Sequence, residues 1–374
     1  MKNDEKAEIY VHIPFCVKKC DYCDFVSFAC GKEVQENYFK ALLCQIDSMK
    51  ETVGNTPIVS CFFGGGTPTV PDDRLLISVL CKLKETFNFS DDAEITMEAN
   101  PNSASLDKLK AYKAAGVNRL SIGLQSTDDT ELKRLSRLHN YEEFLKTFKD
   151  ARAAGFENIN IDIMSALPGQ TIESYEKTLE RVCALNPEHI SAYSLIIEAG
   201  TPFYDRYKDG AGLPDEDTER EMYYLTKSFL HEHGYERYET SNYAKPGFEC
   251  RHNLGYWKRV PYYSFGIAAA SFYGGRRYQT HRDLKRFIAG DFSAETEILT
   301  RDDEIAEFMF LGLRLSEGVS REMFFECFGE DIDSVYGPEI KKLEAQGLLH
   351  NGDRIFLTDK GMDVANYCMS EFVR

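Results

Sequence analysis

The sequence predicts an α/β fold in which six β-α units form a parallel sheet, curled into a full or partial barrel, followed by a smaller α+β domain. Short runs of β-branched and aromatic residues recur along the first 200 residues. The runs are IYVHI (9–13), IVSCFFGG (58–65), EITMEAN (94–100), NRLSIG (118–123), NINIDIM (158–164) and HISAYSL (189–195). Because strands that alternate with helices usually pair in parallel, six such units in a row favour one curled sheet.

The stretches between these runs have the spacing of amphipathic helices. In DRLLISVLCKLKETF and LDKLKAYKAAG the apolar residues recur three and four positions apart, as on one face of a helix. Several of these stretches reach a glycine just before the next strand, as in AAGVNRLSIG and AAGFENINID, and glycine is favoured directly after a helix. Ligands of such folds bind at the C-terminal ends of the strands, so we expect the functional residues at that edge.

Composition and charge restrict the class of protein. The chain has 374 residues, of which 43% are hydrophobic and 28% charged, as in ordinary globular proteins. It contains no apolar run of roughly 18 residues and no signal-peptide core at its N-terminus. We therefore expect a cytoplasmic protein without a transmembrane segment, with its eleven cysteines reduced. The net charge of −17 disfavours nucleic acid as a partner.

Residues typical of ligand sites stand at the ends of the predicted strands, at the edge where ligands are expected. They include cysteines, a glycine-rich turn, two carboxylates and an amide. They are Cys16, Cys20 and Cys23 after the first run, GGGTP (64–68) after the second, and Glu98, Gln125 and Asp162 at the next three. A carboxylate within an apolar strand is costly to bury without a partner. Their co-location at one edge predicts a ligand site.

The three cysteines have the spacing C-x3-C-x2-C, which leaves several interpretations open. Cys16, Cys20 and Cys23 could be core residues or part of a zinc site. A structural zinc site normally takes four protein ligands, and a catalytic one usually includes histidine or carboxylate. The chain has no second C-x2-C pair to complete such a site. Ligation by thiolates alone fits an iron–sulfur cluster better, with one iron left for a ligand that is not protein.

The motifs around these positions resemble those of the radical S-adenosylmethionine (SAM) superfamily. CVKKCDYC, with an aromatic residue before its third cysteine, and GGGTP carry this resemblance. The segments YVHIPFC, GGGTPT, RLSIGLQS, IDIMSALPGQT, SAYSLIIEAGTP and RHNLGYW are similar to the HemN/HemW group within the superfamily. The resemblance extends over nearly the whole chain.

The resemblance implies a radical SAM partial (β/α)6 barrel and two cofactors. It implies that Cys16, Cys20 and Cys23 bind a [4Fe–4S] cluster whose open iron binds SAM. It also implies a reductant that supplies the cluster with an electron. The residues that the resemblance assigns to SAM are Tyr10, Tyr22, Gly65, Gly66, Thr67, Glu98 and Ala270. Gln125, Arg137 and Asp162 match positions that hold a second SAM in the coproporphyrinogen oxidase branch. The residues alone also allow simpler roles: core packing for the tyrosines, a plain tight turn for the glycines, and a salt bridge for Arg137.

Residues 201–300 form an aromatic-rich extension that we expect to close the barrel formed by residues 1–200. Twelve of the 21 tyrosines fall between Tyr204 and Tyr278, together with the single tryptophan, Trp257. Aromatic rings and a histidine suit a flat iron macrocycle, although a packing layer explains the same composition. The resemblance assigns haem binding to His252, in RHNLGYW.

Residues 301–374 are predicted to form a winged-helix-like α+β domain. Helical stretches precede GLLHNGDRIFLTDKG, which reads as a hairpin with NGD at its turn, and a final helix follows. From Asp302 onward the chain has sixteen acidic and seven basic residues. This charge has the wrong sign for a DNA-binding domain, so we interpret the domain as a lid or a docking surface for a partner protein.

Two functions from different classes remain after the resemblance is stated. One is a haem chaperone of the HemW branch, which binds haem and passes it to an acceptor protein of unknown identity. The other is oxygen-independent oxidation of coproporphyrinogen III, in which propionates become vinyl groups. Phe25 stands where the oxidases carry a further cysteine, and only 15 residues precede Cys16, so the resemblance favours the chaperone. Radical modification of RNA is disfavoured by the acidity.

Overall fold

The computed structural model describes residues 6–373 and contains the six predicted parallel strands. They are β1 (Ala7–Ile13), β2 (Ile58–Gly65), β3 (Phe89–Ala99), β4 (Arg119–Gln125), β5 (Asn158–Ser165) and β6 (His189–Ser194), which lie side by side in chain order. Each strand pairs in parallel with the next. The α/β prediction and the positions of all six strands are therefore confirmed.

Seven helices connect these strands and cover the outer face of the sheet. They are α1 (Lys32–Ser48), α2 (Lys50–Val53), α3 (Asp73–Thr86), α4 (Leu106–Ala115), α5 (Asp129–Arg134), α6 (Tyr141–Ala153) and α7 (Ile172–Ala184). Local chemistry fixes where they begin: Asn140 and Thr171 form capping boxes at α6 and α7. The left-handed Gly116 ends α4, as the sequence predicts.

Side chains of the strands alternate between this outer core and the inside of the barrel. In β1, Ile9 and Val11 belong to the hydrophobic core under the helices. Glu8, Tyr10 and His12 have the opposite parity and therefore face the interior. The barrel interior is thus lined by polar and aromatic side chains at every level.

Residues 201–300 extend the same sheet from both edges and do not form a separate layer. Their elements are α8 (Pro202–Tyr207), α9 (Glu216–Glu232), β7 (Glu236–Arg237), β8 (Asn242–Ala244), α10 (Arg251–Trp257), β9 (Tyr262–Phe265), β10 (Ala270–Tyr273), β11 (Arg276–Thr280), α11 (Leu284–Ile288) and β12 (Ala294–Ile298). The strand order is β12-β11-β10-β9-β1-β2-β3-β4-β5-β6-β8-β7, with β9 parallel to β1 and β8 antiparallel to β6.

Helix α10 occupies the N-terminal end of the barrel, opposite the expected ligand edge. His252 Nδ1 lies 2.8 Å from Ser60 Oγ, and the His252 ring stacks on Phe62 at 5.2 Å between centroids. The Glu94 carboxylate accepts the N–H groups of Arg251 and His252 at 3.2 and 3.3 Å. These contacts close one end of the barrel with a polar, fully packed layer.

The C-terminal residues form a small α+β domain with its own core. Its elements are α12 (Arg301–Gly312), β13 (Val319–Ser320), α13 (Arg321–Phe328), α14 (Ile332–Ala345), β14 (Leu349–Asn351), β15 (Arg354–Leu357), α15 (Asp359–Asp363) and α16 (Ala365–Ser370). The three strands form an antiparallel sheet in the order β13-β15-β14. The predicted hairpin turns between Asn351 and Arg354, which confirms the winged-helix-like pattern.

The division at residues 200 and 300 stays a prediction. The large sheet runs across the first boundary, and the core of the C-terminal domain begins at Ile305. No helix within residues 6–373 is long and apolar enough to cross a lipid bilayer.

Substitution of Gly255 by alanine tests the packing of α10. Alanine in a helix is normally more stable than glycine by about 1 kcal/mol. A Cβ at Gly255, however, would lie 2.0 Å from Glu8 Oε1. We therefore expect the free energy of unfolding to fall by about 1–3 kcal/mol, because a packed carboxyl must move.

Urea denaturation followed by circular dichroism measures this change. A Gly255→Ala chain as stable as the original would show that α10 does not pack on Glu8.

Candidate functional site

The loop between β1 and α1 carries the three cysteines at the C-terminal edge of the barrel. Cys16, Cys20 and Cys23 are free thiols, each partly exposed. The Cys16 N–H donates to the carbonyl of Phe28 at 3.1 Å, and the Cys23 N–H donates to the carbonyl of Cys20 at 3.2 Å. Backbone hydrogen bonds therefore fold this segment, the cluster loop (residues 14–30), into a compact turn that holds the thiols near one another.

The glycine-rich turn after β2 packs directly under the cluster loop. The N–H groups of Gly66 and Thr67 donate to the carbonyls of Ile13 and Phe15 at 2.9 and 2.8 Å. Gly65 has a φ of 106°, and a Cβ there would lie 2.4 Å from the His12 ring. A Cβ at Gly66 would lie 2.7 Å from the Phe15 nitrogen. Glycine is therefore required here by the protein's own packing, before any ligand is considered.

A chain of polar contacts joins two of the cysteines through the ends of three strands. Cys16 Sγ lies 3.6 Å from Thr67 Oγ1, which accepts from Asn100 Nδ2 at 2.7 Å. Arg137 Nη2 donates to Asn100 Oδ1 at 2.6 Å and to the carbonyl of Gly123 at 2.7 Å, and Arg137 Nη1 lies 3.8 Å from Cys20 Sγ. These contacts fix the cluster loop relative to β2, β3 and β4.

Two carboxyl groups lie at the same C-terminal edge of the barrel, beside the cluster loop. We call this end of the barrel the mouth. Glu98 Oε2 accepts the Gly65 N–H at 3.3 Å, and burial, assisted by the nearby charge of Asp162, raises the pKa of Glu98 to about 8. Burial also raises the pKa of Asp162, although Asn160 donates to it at 2.7 Å. A cationic ligand at this mouth would favour the ionised forms.

The remaining predicted SAM residues lie around this mouth at different depths. The Tyr10 hydroxyl lies 3.1 Å from His12 Nδ1, inside the barrel. Tyr22 packs on Phe203 with ring centroids 6.1 Å apart. Gln125 ends β4 as a buried residue with a φ of 75°. Ala270 is exposed at the start of β10, across β9 from β1.

The residues present fit a four-iron cluster better than a single metal ion. Within residues 6–373, no three His, Cys, Asp or Glu side chains converge as a single-ion site. A [4Fe–4S] cluster binds its thiolates through different irons, so its ligands do not have to converge on one point. Arg137 Nε is buried at the mouth and has no hydrogen-bond partner among the described residues, and it is available to a bound group.

His252 does not reach this mouth. Its side chain is 2% exposed, and its two ring nitrogens lie 2.8 Å from Ser60 Oγ and 3.0 Å from Tyr256 Oη. Burial, together with the charge of Arg119, lowers the pKa of His252 to about 3. Ser60 stands five residues before Gly65 in β2, roughly 16 Å at 3.3 Å per residue. An imidazole needs a free nitrogen to bind metal, so haem binding by His252, which stays a prediction, requires one ring nitrogen to leave its present partner.

Comparisons with known proteins give the family of this chain. The Radical SAM superfamily pattern matches residues 10–182, and the HemN C-terminal domain pattern matches residues 299–364. The heme chaperone HemW of Bacillus subtilis is 37% identical, over 97% of this chain and 98% of its own length. This chain belongs to the HemW family. The heme chaperone HemW of Escherichia coli is 36% identical, over 91% of both chains.

A solved structure extends the comparison to the whole fold. Coproporphyrinogen III oxidase (HemN) from Escherichia coli, a radical SAM enzyme, superposes with a TM-score of 0.87, at 26% identity, over 99% of this chain and 91% of that one. Membership of the HemW family within the radical SAM superfamily implies a [4Fe–4S] cluster and SAM.

Sequence reasoning missed two residues of this site. Asn100 bridges Thr67 and Arg137, and His12 lies between the Tyr10 hydroxyl and the carbonyl of Val26. Asn100 follows Glu98 by two residues at the end of a strand, so its position at the ligand edge was a usable signal. His12 shares its face of β1 with Tyr10, but nothing local in the sequence indicates its partners.

Substitution of the cysteines tests the cluster loop. After anaerobic reconstitution with iron and sulfide, we expect Cys20→Ala to lose nearly all of the cluster absorbance, because the remaining thiolates leave two irons without protein ligands. Visible absorbance and iron content measure the loss. Cys30→Ala is the control, because Cys30 only packs against the core. A full cluster in Cys20→Ala would refute the ligand assignment.

The raised pKa of Glu98 predicts that the free energy of unfolding of the cofactor-free chain depends on pH. Its pKa of about 8 lies above the ordinary value of 4.5, so the folded chain binds more protons than the unfolded one between these values. The stability from the protonated carboxyl is present below pH 4.5 and is lost as pH rises through 8, with a slope of at most about 1.4 kcal/mol per pH unit.

Urea unfolding of the cofactor-free chain at a series of pH values checks this slope. Glu98→Gln cannot ionise, so its stability should lack this decline and should exceed that of the original chain at high pH. Equal slopes for the two chains would show that Glu98 is not its source.

Proposed function

We propose that this chain is a haem chaperone, which binds haem and passes it to an acceptor protein. The observation that carries the proposal is its identity of 33–37% to five proteins named heme chaperone HemW, over 91–98% of this chain. The acceptor is unidentified. We further propose that the protein acts in the cytoplasm.

The cluster loop is proposed to hold the [4Fe–4S] cluster through Cys16, Cys20 and Cys23. The cluster's remaining iron would take the amino and carboxylate groups of SAM, and a cellular reductant would supply the cluster with an electron. The residues proposed to surround SAM are Tyr10, Tyr22, Gly65, Gly66, Thr67, Glu98, Gln125, Arg137, Asp162 and Ala270. Burial raises the pKa of both carboxyl groups, and a positively charged group of SAM beside them would stabilise their ionised forms.

The exposed side of the cluster loop favours the chaperone over an oxidase. Phe25 is 70% exposed and Val17 is 65% exposed, and Phe25 takes the position where the resemblance gives the oxidases a cysteine. An apolar surface beside a cofactor is typical of a contact site. We therefore propose that this side of the loop is not built to enclose a tetrapyrrole substrate for radical chemistry.

Oxygen-independent coproporphyrinogen III oxidation is the second candidate. The superposition on HemN, at a TM-score of 0.87 over 99% of this chain, favours it. The mouth also keeps the cysteines and carboxylates that radical chemistry on a propionate would use. Sequence identity over the whole chain is lower to HemN, at 26%, than to the HemW proteins, so the chaperone is preferred.

An anaerobic assay separates the two candidates. The reconstituted chain is supplied with coproporphyrinogen III, SAM and dithionite, with HemN from Escherichia coli as the positive control. We expect no protoporphyrinogen from this chain and complete conversion by HemN. In parallel, hemin added to the chain should give a shifted Soret band. Protoporphyrinogen formation would overturn the proposal in favour of the enzyme.

A further inference from the structure

A continuous series of polar side chains crosses the barrel interior from the α10 end to the mouth. Asn160 precedes Asp162 by two residues in β5 and therefore faces the same side, and its Nδ2 donates to Asp162 Oδ1 at 2.7 Å. Its Oδ1 lies 2.6 Å from His189 Nδ1, and His189 Nε2 lies 2.8 Å from the Tyr238 hydroxyl. That hydroxyl accepts the N–H of Cys250, the residue directly before α10, at 3.2 Å. We call Asp162, Asn160, His189 and Tyr238 the Asp162 network.

The direction of each hydrogen bond in the Asp162 network follows from the chemistry of its members. An ionised Asp162 only accepts, so the Asn160 amide must turn its Nδ2 toward Asp162 and its Oδ1 toward His189. His189 must then donate through Nδ1, and in the neutral ring Nε2 is left to accept from the Tyr238 hydroxyl. Burial, together with the charge of Arg119, lowers the pKa of His189 well below its usual range, so the neutral ring is favoured.

Asp162 depends on the Asn160 amide for its orientation. The other hydroxyl beside it, Ser121 Oγ, lies 3.3 Å from Oδ2 and 3.4 Å from Oδ1, against 2.7 Å for the amide. If the amide turned over, its oxygen would face the carboxylate and the short hydrogen bond would be lost. The tautomer of His189 prevents that turn, because its Nδ1–H needs an acceptor.

Packing alone does not require this network. Apolar side chains in place of Asn160 and His189 would fill the barrel interior and leave fewer buried polar groups to satisfy. The network instead places a polar side chain on each of two neighbouring strands, where Asn160 pairs with His189 across β5 and β6. Its donors all point one way, from the α10 end toward the carboxylate at the mouth.

From this geometry we infer that Asn160, His189 and Tyr238 are positioning residues for SAM, because they fix the carboxylate of Asp162 that contacts it. The inference rests on the proposed SAM site and adds to it three residues that act through Asp162. It also ties the mouth to the first turn of α10, through the Cys250 N–H.

SAM binding to the full-length chain with its reconstituted cluster tests the role of His189. His189→Leu leaves the Asn160 amide free to turn, so we expect the dissociation constant of SAM to rise about tenfold. His189→Asn is the conservative variant: its Nδ2 replaces the Nδ1 donor of histidine, and SAM should bind nearly as tightly as to the original chain. Equilibrium dialysis measures the affinity, and the electron paramagnetic resonance spectrum of the reduced cluster reports SAM at the open iron.

Tyr238→Phe removes one hydroxyl and keeps the ring. Without that hydroxyl, nothing holds His189 Nε2 as an acceptor, so we expect SAM to bind roughly three- to tenfold more weakly. Tyr235→Phe is the matched control, because the Tyr235 hydroxyl is also buried and donates to the carbonyl of Pro187 at 2.8 Å. Among the described residues it has no hydrogen bond to the Asp162 network, so SAM affinity should not change.

A double-mutant cycle shows whether His189 acts through Asp162. Asp162→Asn should weaken SAM binding in the original chain but have a smaller effect in His189→Leu, where the carboxylate has already lost its orientation. A merely structural role of His189 would instead give two independent effects whose fold-changes multiply. The iron content of every variant is measured first, so that equal cluster loading is established.

The outcomes distinguish this inference from the proposed function. SAM that binds Tyr238→Phe and His189→Leu as tightly as the original chain would overturn the inference and leave the proposed SAM site intact. Equal losses in His189→Leu and His189→Asn, or independent effects in the cycle, would also overturn it. Failure of the fully loaded original chain to bind SAM would overturn both. Tyr238→Phe, the smallest change, decides the question if His189→Leu does not fold.

Discussion

The attachment of the cluster loop to the barrel is the constraint on which the rest of this structure depends. A loop of this kind has no regular structure to position its thiols. Here Thr67, Asn100 and Arg137 tie Cys16 and Cys20 to the ends of three separate strands. The parallel sheet matters for function because it brings those ends to one edge, where residues distant in the sequence can share hydrogen bonds.

The barrel interior changes character along its axis. At the α10 end lie Glu8, Glu94 and Arg119, all buried; at the other end lie the carboxyl groups of the mouth. Between them Tyr10 and Phe62 stack at 6.4 Å. Burial raises the pKa of Glu8 well above its usual range, so its protonated form is favoured and the cost of burying a charge is reduced. The aromatic layer thereby lies between the polar end packed against α10 and the mouth, where the ligand is expected to bind.

The sequence predicts the regular part of this structure well and its long-range part poorly. The six strands follow from the alternation of β-branched runs and helical spacing, and the wing hairpin follows from NGD. The places of β7 to β12 do not, because strands of two to five residues carry too little pattern to show which edge they join. Among site residues, motifs identified the cysteines and Gly65, but Asn100 and His12 depend on partners far along the chain.

A motif leaves open how its residues are placed in the fold, as His252 shows. A motif gives a residue's identity and neighbours in sequence, but the availability of its ring nitrogens depends on Ser60 and Tyr256. Burial and hydrogen bonding decide which of several chemically equivalent side chains can act.

The position of β9 beside β1 has a consequence for how the chain is made. Glu8 pairs with Tyr262, so one edge of the first strand has no partner until most of the chain has left the ribosome. At 5–20 residues per second this interval lasts roughly 10–50 s. Until then the nascent barrel has an open seam along β1, next to the cysteines, and this unpaired edge is prone to wrong pairing. Closure of the barrel by β9 therefore comes late in synthesis, after all six parallel strands have been made.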